Sequence, residues 1–397
     1  MNTACAVGFG SVVKVVPGFA SLTSIALNMP GSILFSEAVA VNLLAGATGS
    51  ASGGMSIALS ALGPKYAEMA AGNTGVLEAL HRIASISSGG LDTLRYLMDL
   101  RRTHTLFFLQ GNCENVTLDF LNGAWPDQAA AQYGNFWGEK CAWVSMAHQA
   151  GVDVSDPKAF PAARQAIEAL FPEELAFLRA MPTILLHEHY LFVHGGVPRE
   201  HHLETLSARA CMKNDAFLDQ GHRFQRWVVV GHWPVTLYHP DIPSAKPLLL
   251  PDRHIASIDG GCTLKADGQL NALILPREPG GAFSYRAYDG FPVMTALASQ
   301  APSPDPLNIR WGHSALEVLS LGEEFSRCRH LETGRELDIL TDYLRQGPQG
   351  TYCLDSTDYL LPVTAGERLA VVRRTSRGAL AKKDGVTGWY LGPLGEG

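Results

Sequence analysis

The sequence predicts an α/β protein in three parts: a membrane-type helical stretch over residues 1–94, an α/β domain over residues 95–300, and a small all-β domain over residues 307–397. Three observations lead there. Charge changes abruptly near residue 94. Three apolar runs, in Thr105–Gly111, Tyr190–His194 and Val228–His232, each end at a glycine beside a metal-capable side chain. Beyond a Pro-rich linker, Ala301–Pro306, short apolar stretches recur between turn residues.

Residues 1–94 hold only seven charged side chains, Lys14, Glu37, Lys65, Glu68, Glu78, Arg82 and Asp92, in a chain that is 17% charged overall with net charge −7. That is a difference of class between two regions. Ala4–Met29 and Ile33–Leu62 each reach the roughly 20 residues that span a bilayer. Both are interrupted by glycines, as in helices that pack closely or break around a substrate path. The alternative is a buried Gly/Ala-rich core of a soluble domain. Glu37 and Asn42 are transport-site candidates, because an intramembrane polar group is costly to hold; the competing role is helix–helix packing.

The strings Asn2-Thr3-Ala4, Ser36–Leu59 and Leu80–Leu94 resemble the gluconate permease family of bacterial transporters. The resemblance implies a transmembrane fragment of a gluconate or sugar-acid transporter, too small to enclose a path alone. It ends at Arg95.

From Leu94 the pattern becomes an amphipathic helix, with Leu94, Leu97, Met98 and Leu100 on one face. Leu106–Leu109 then reads as a buried strand whose C-terminal end delivers Asn112, Cys113 and Glu114. Tyr190–Val193 delivers His194, and Val228–Val230 delivers His232. Open α/β sheets keep their sites at such strand ends. Helical stretches lie between, at Phe136–Ala150, Pro157–Leu170 and Pro172–Ala180. His187-Glu188-His189 and His201-His202 read as solvated turn and loop. Asp259, in the string Ile255–Cys262, reads as structural.

GNCE (Gly111–Glu114), HGG (His194–Gly196) and GHxxV (Gly231–Val235), in this order, resemble the calcineurin-like metallophosphoesterases, in the branch of bacterial serine/threonine phosphatases. The resemblance implies a four-layer metallophosphoesterase β-sandwich flanked by helices, a two-metal mechanism with a divalent metal of the Mn or Fe/Zn type, and a phosphorylated protein or nucleotide as substrate. It assigns Asn112, His194 and His232 as metal ligands. Cys113 stands where the family commonly has a proton-donating histidine; it is either a proton donor or a small buried thiol. The family's early D-x-H and GDxxDRG motifs have no counterpart, so the chain is a truncated version of that fold and the metal site is incomplete. Because a bridging carboxylate is what spaces two ions for in-line displacement, weak or absent hydrolysis is expected.

The last part, with CLDSTDYLLPV, GERLAVV and GVTGWYLG, resembles a bacterial Src-homology-type β-barrel, an accessory module in which Trp389 and Tyr390 either line a groove or close the core. Three functions follow: a metal-dependent phosphoester hydrolase, a transporter fragment, or a hybrid of two genes joined near residues 93–95 in which neither works. The mild acidity gives no reason to expect nucleic acid. Seven scattered cysteines without a C-x-x-C pair suggest a reduced compartment, and no secretory signal is evident. The chain is expected in the membrane through residues 4–62, with the phosphatase-like part cytoplasmic, or otherwise in the cytoplasm. Oligomeric state is not legible.

Overall fold

Leu91 and Leu94 are one helical turn apart, and both are buried in α1 (Gly90–Thr103). Asp92 in its first turn and Arg101 and Arg102 in its last complement the helix dipole. This helix opens the computed structural model of the protein, which describes residues 90–262, 264–278 and 280–396. Residues 4–62, with Glu37 and Asn42, lie outside the described residues. No helix among the described residues is long and apolar enough to cross a membrane. The chain divides into two compact units, one ending at Met181 and the other beginning at Pro182.

The described part of the first unit is helical: α1, α2 (Asn112–Leu121), α3 (Asp127–Trp137), α4 (Ala142–Gln149), α5 (Phe160–Leu170) and α6 (Pro172–Arg179). Its core is built on Phe120, stacked on Trp143 with ring centroids 3.9 Å apart, and Phe160 meets Phe120 edge-on at 5.2 Å. Arg95 reaches across to Glu174 at 2.7 Å, tying α1 to α6.

The expected strand Leu106–Leu109 is not formed. Thr105–Gln110 carries no regular structure, and Phe107 is 72% exposed. A strand exists only through neighbours that accept its backbone hydrogen bonds, and no described strand pairs with this one. What the local sequence does determine is the helix after it. Gly111 is extended, and its N–H donates to Glu114 Oε2 at 2.8 Å, a cap from the third helical residue.

The second unit starts with β1 (Ile184–His187) and β2 (Tyr190–Val193), an antiparallel hairpin. After the short helix α7 (Ala208–Met212) come β3 (Trp227–Val230), β4 (Leu248–Leu250) and β5 (Ile255–Ser257). They form one sheet in the order β1-β2-β3-β5-β4, in which β2, β3 and β5 run parallel and the two edges are antiparallel. Val228, Val230 and Leu191 face one core with Phe217 and Ile255. Val229 and Tyr190 face the other, where the hairpin β6 (Leu270–Ile274) and β7 (Ser284–Tyr288) contributes Leu273. A single sheet backed by one hairpin therefore stands, among the described residues, where a truncated four-layer sandwich was expected.

The rest is β-structure: β8 (Val293–Ala296), β9 (Asn308–Ile309), β10 (Leu316–Ser320), β11 (Phe325–His330), β12 (Glu336–Leu340), β13 (Leu344–Gly347), β14 (Gly350–Cys353), β15 (Ser356–Thr357), β16 (Arg368–Thr375), β17 (Gly378–Lys383), β18 (Val386–Tyr390) and β19 (Leu394–Gly395). The expected closed barrel is absent among the described residues. The strands split into a five-stranded sheet, β18-β17-β16-β8-β19, a three-stranded sheet, β10-β11-β12, and the pairs β13-β14 and β15-β9. Closure needs a continuous ladder of staggered strands. Here β9, β15 and β19 have two residues each, and two separate cores form, one around Leu369 and Tyr390 and one around Ile309 and Cys328. Tyr390 is a core residue, its hydroxyl donating to Ala298 O at 2.8 Å, while the Trp389 indole donates to Thr357 O at 2.8 Å.

Candidate functional site

Three parallel strands end side by side, and each hands a polar side chain to the same end of the sheet. β2 leads into His194, β3 into His232 and β5 into Asp259. The strands form because Val, Ile and Leu suit a sheet buried on both faces. They stop because Gly195, Gly231 and Gly260 follow.

The His194 and His232 rings lie 5.2 Å apart between centroids, inclined at 57°. Gly231 N–H donates to His194 O at 2.9 Å, fixing one strand end against the other. Gly195 N–H and Gly196 N–H donate to Cys211 O, at 2.8 and 3.2 Å. Neither glycine has room for a side chain: a Cβ at Gly195 would stand 2.8 Å from Met212 O, and at Gly196, where φ is +143°, 2.4 Å from the Phe217 ring.

His232 is itself strained. Its φ is +65°, and Trp233 N–H donates to Gly231 O at 2.7 Å, closing a three-residue γ-turn of the uncommon hand. A non-glycine residue in such a turn costs about 1–3 kcal/mol and persists only where its surroundings hold it. They do so here. The side chain is 8% exposed, Nε2 lies 2.8 Å from Asp215 Oδ1, and Val235 N–H donates to Asp259 O at 2.8 Å just beyond the turn. Lys213 Nζ approaches the same Asp215 oxygen at 3.5 Å.

Burial, with the nearby His232 and Lys213 charges, pushes the His194 imidazole down to about 4, which favours the neutral ring at physiological pH. Burial raises the Asp259 carboxyl against the pull of Gly261 N–H, His232 and Lys265. Lys265, paired with Asp355, is brought down to about 8, chiefly by burial. The arrangement offers one neutral imidazole and a second imidazole oriented by a carboxylate that Lys213 also approaches. That set can receive an anion or pass a proton.

Asn112 is the first residue of α2 in the first unit, and its Nδ2 lies 3.8 Å from Cys113 Sγ. Cys113 is exposed, with Sγ 4.0 Å from the Tyr133 hydroxyl. Within the second unit the structure brings His194 and His232 together. His187, His189, His201 and His202 are exposed, as a solvated turn and loop require. Sequence reasoning missed Asp215, which sits in a loop with no pattern to mark it, and gave Asp259 a structural role only. The signal for Asp259 was present: Ile255–Gly260 is another apolar run ending at a polar residue and glycine.

Among the described residues, the side chains do not fit a two-metal centre. Among the described residues, no group of three or more His, Cys, Asp and Glu side chains could hold a metal ion. Two imidazoles, one of them already committed to Asp215, fall short of the three or four protein ligands a bound ion ordinarily takes.

In comparisons with known proteins, the N-terminal region is similar to an uncharacterized transporter, YxjC, of Bacillus subtilis: 44% identical over 94 residues, which are 24% of this chain and 20% of that protein. The chain thus spans about a fifth of the length of the relative it matches. No family model matches the chain, and no solved structure matches it.

Proposed function

We propose that residues 95–300 are a metallophosphoesterase-like domain, of the serine/threonine phosphatase type, that has lost the front of its active site. Its reaction by ancestry is hydrolysis of a phosphoester, and its present activity is weak or nil. The observation that carries this reading is the pairing of His194 and His232, 5.2 Å apart at the ends of adjacent parallel strands, with His232 held in a strained turn by Asp215. Strain at a strand-end histidine is expected where a site once demanded that geometry. Motif order, GNCE then HGG then GHxxV, supports the same ancestry.

The test is hydrolysis of p-nitrophenyl phosphate by the full chain with added Mn²⁺, beside titration of Mn²⁺ into the chain and into His232→Ala. Turnover no faster than in His232→Ala is expected, with at most one weakly held ion that the substitution removes. Robust turnover lost in His232→Ala would mean a complete site and overturn the loss. Mn²⁺ binding indifferent to both His194→Ala and His232→Ala would overturn the ancestry.

A second reading concerns residues 2–94 alone, as a fragment of a gluconate-type transmembrane transporter. The likeness to the Bacillus transporter favours it, and the same likeness favours a hybrid of two genes with its join near residues 93–95. On that reading residues 4–62 associate with a membrane. Sequencing the locus in a related genome tests the join: two intact neighbouring genes support it, and one gene of this same length overturns it.

A further inference from the structure

The second unit carries an aromatic feature that the phosphoester reading leaves unused. Trp311 is 63% exposed, an uncommon position for so large an apolar ring. Its ring meets that of Trp233, the residue after His232, edge-to-face at 5.4 Å. A T-shaped contact engages one ring's edge and the other's face, and with Trp311 this exposed much of its ring surface remains open to solvent.

The backbone that carries Trp311 is braced. It is the second residue of a tight turn in which His313 N–H donates to Arg310 O at 2.8 Å and Gly312, third in the turn, has φ +84°. That combination is a type II turn, which requires glycine or asparagine at its third place. The turn is bolted to the chain that follows His232: Asn308 Nδ2 donates to Thr236 O at 3.1 Å and His239 O at 2.7 Å, and Arg310 Nε donates to Leu237 O at 2.9 Å. On the other side, His330 Nε2 contacts His313 O at 3.1 Å. An exposed ring on a braced turn loses less freedom than one on a free loop when a flat partner settles on it.

We propose that Trp311, with Trp233 behind it, is a specificity-determining wall that stacks the base of a nucleotide, so that the phosphoester taken by the His194/His232 site is a nucleotide rather than a phosphorylated protein side chain. This rests on the phosphoester reading and narrows it. A phosphoserine or phosphothreonine side chain presents no flat ring to an indole. A nucleoside monophosphate presents a base at one end and, at the other, a phosphate for Lys213 and the histidines. The C-terminal β-region then supplies part of the site.

The experiment measures binding of AMP, ribose 5-phosphate and adenosine to the full chain by calorimetry, with the Trp311→Ala, Trp311→Phe and His232→Ala variants. Stacking of one base on an aromatic ring corresponds to about a tenfold gain in affinity or more. AMP is expected to bind at least about tenfold more tightly than ribose 5-phosphate. Trp311→Ala removes that difference without changing ribose 5-phosphate binding, and Trp311→Phe keeps most of it. Equal binding of AMP and ribose 5-phosphate by the parent overturns the proposal, as does a difference that survives Trp311→Ala, or no binding of any of the three. Adenosine bound as tightly as AMP, through Trp311 and regardless of His232→Ala, would overturn the phosphoester reading while leaving the stacking wall in place.

Discussion

His232 Nε2 stands 2.8 Å from Asp215 Oδ1. A carboxylate can only accept there, so the imidazole must donate, and Nε2 carries the proton. We expect long-range ¹H–¹⁵N spectra to show His232 in the Nε2–H tautomer, and Asp215→Ala to give a mixture of both tautomers. A pure Nδ1–H tautomer in the parent would contradict this.

The γ-turn at His232 reverses an ordinary rule. Alanine is normally less costly than glycine in folded structure by about 0.5–1 kcal/mol. At φ +65° the alanine Cβ is the strained group, so His232→Gly should be more stable than His232→Ala by about 1 kcal/mol. Both lack the imidazole, so urea denaturation of the pair isolates the backbone term.

In the helical unit, Phe120 is fully buried, stacked on Trp143 and capped by the Arg164 guanidinium 4.9 Å above its ring. Phe120→Ala should cost about 3–5 kcal/mol, because it removes a large ring and leaves a cavity that Trp143 and Phe160 cannot both fill. Denaturant unfolding followed by tryptophan fluorescence measures it; a cost below about 1 kcal/mol would mean the stack is not a structural centre.

Glu139 and His148 give this unit a pH window. Their hydrogen bond is the main cause of both shifts, holding the Glu139 carboxyl below its usual 4.5 and the His148 imidazole above its usual 6.5. The Glu139 contribution is present above 4.5 and lost as pH falls through its lowered value. The His148 contribution is present below 6.5 and lost as pH rises through its raised value. Protection of the Ala142–Gln149 amides in hydrogen exchange should therefore be greatest between about pH 4.5 and 6.5. Glu139→Gln should flatten both limbs; a profile unchanged by that substitution would exclude the pair as the cause.

The parallel strands and their histidines were legible because each is a local pattern: a Val- or Leu-rich run that ends at a glycine beside a polar side chain. The same pattern at Leu106–Leu109 misled, since it specifies a segment fit to be a strand without supplying the neighbours that make it one. With no partner it carries no regular structure, and only the Glu114 cap and α2 survive from that region's sequence signal. Asp215 was invisible for the opposite reason: Lys213-Asn214-Asp215-Ala216 has no periodicity, and only the folded loop places its carboxylate at His232. In the C-terminal region, alternation announced strands correctly, but whether strands close on one another depends on ladders as short as Ser356–Thr357 against Asn308–Ile309, which no local pattern records.

Strand β8 has a bearing on how such a chain could be assembled. It precedes the Pro-rich stretch Ala301–Pro306, yet it lies inside the five-stranded sheet, between β16 on one side and β19 on the other. A cassette inherited or exchanged with its border at residue 306 would arrive without an interior strand, leaving Arg368–Ala370 and Leu394–Gly395 with open ladders. Residues 293–296 therefore depend on strands beyond the Pro-rich stretch for their pairing, and those strands on them.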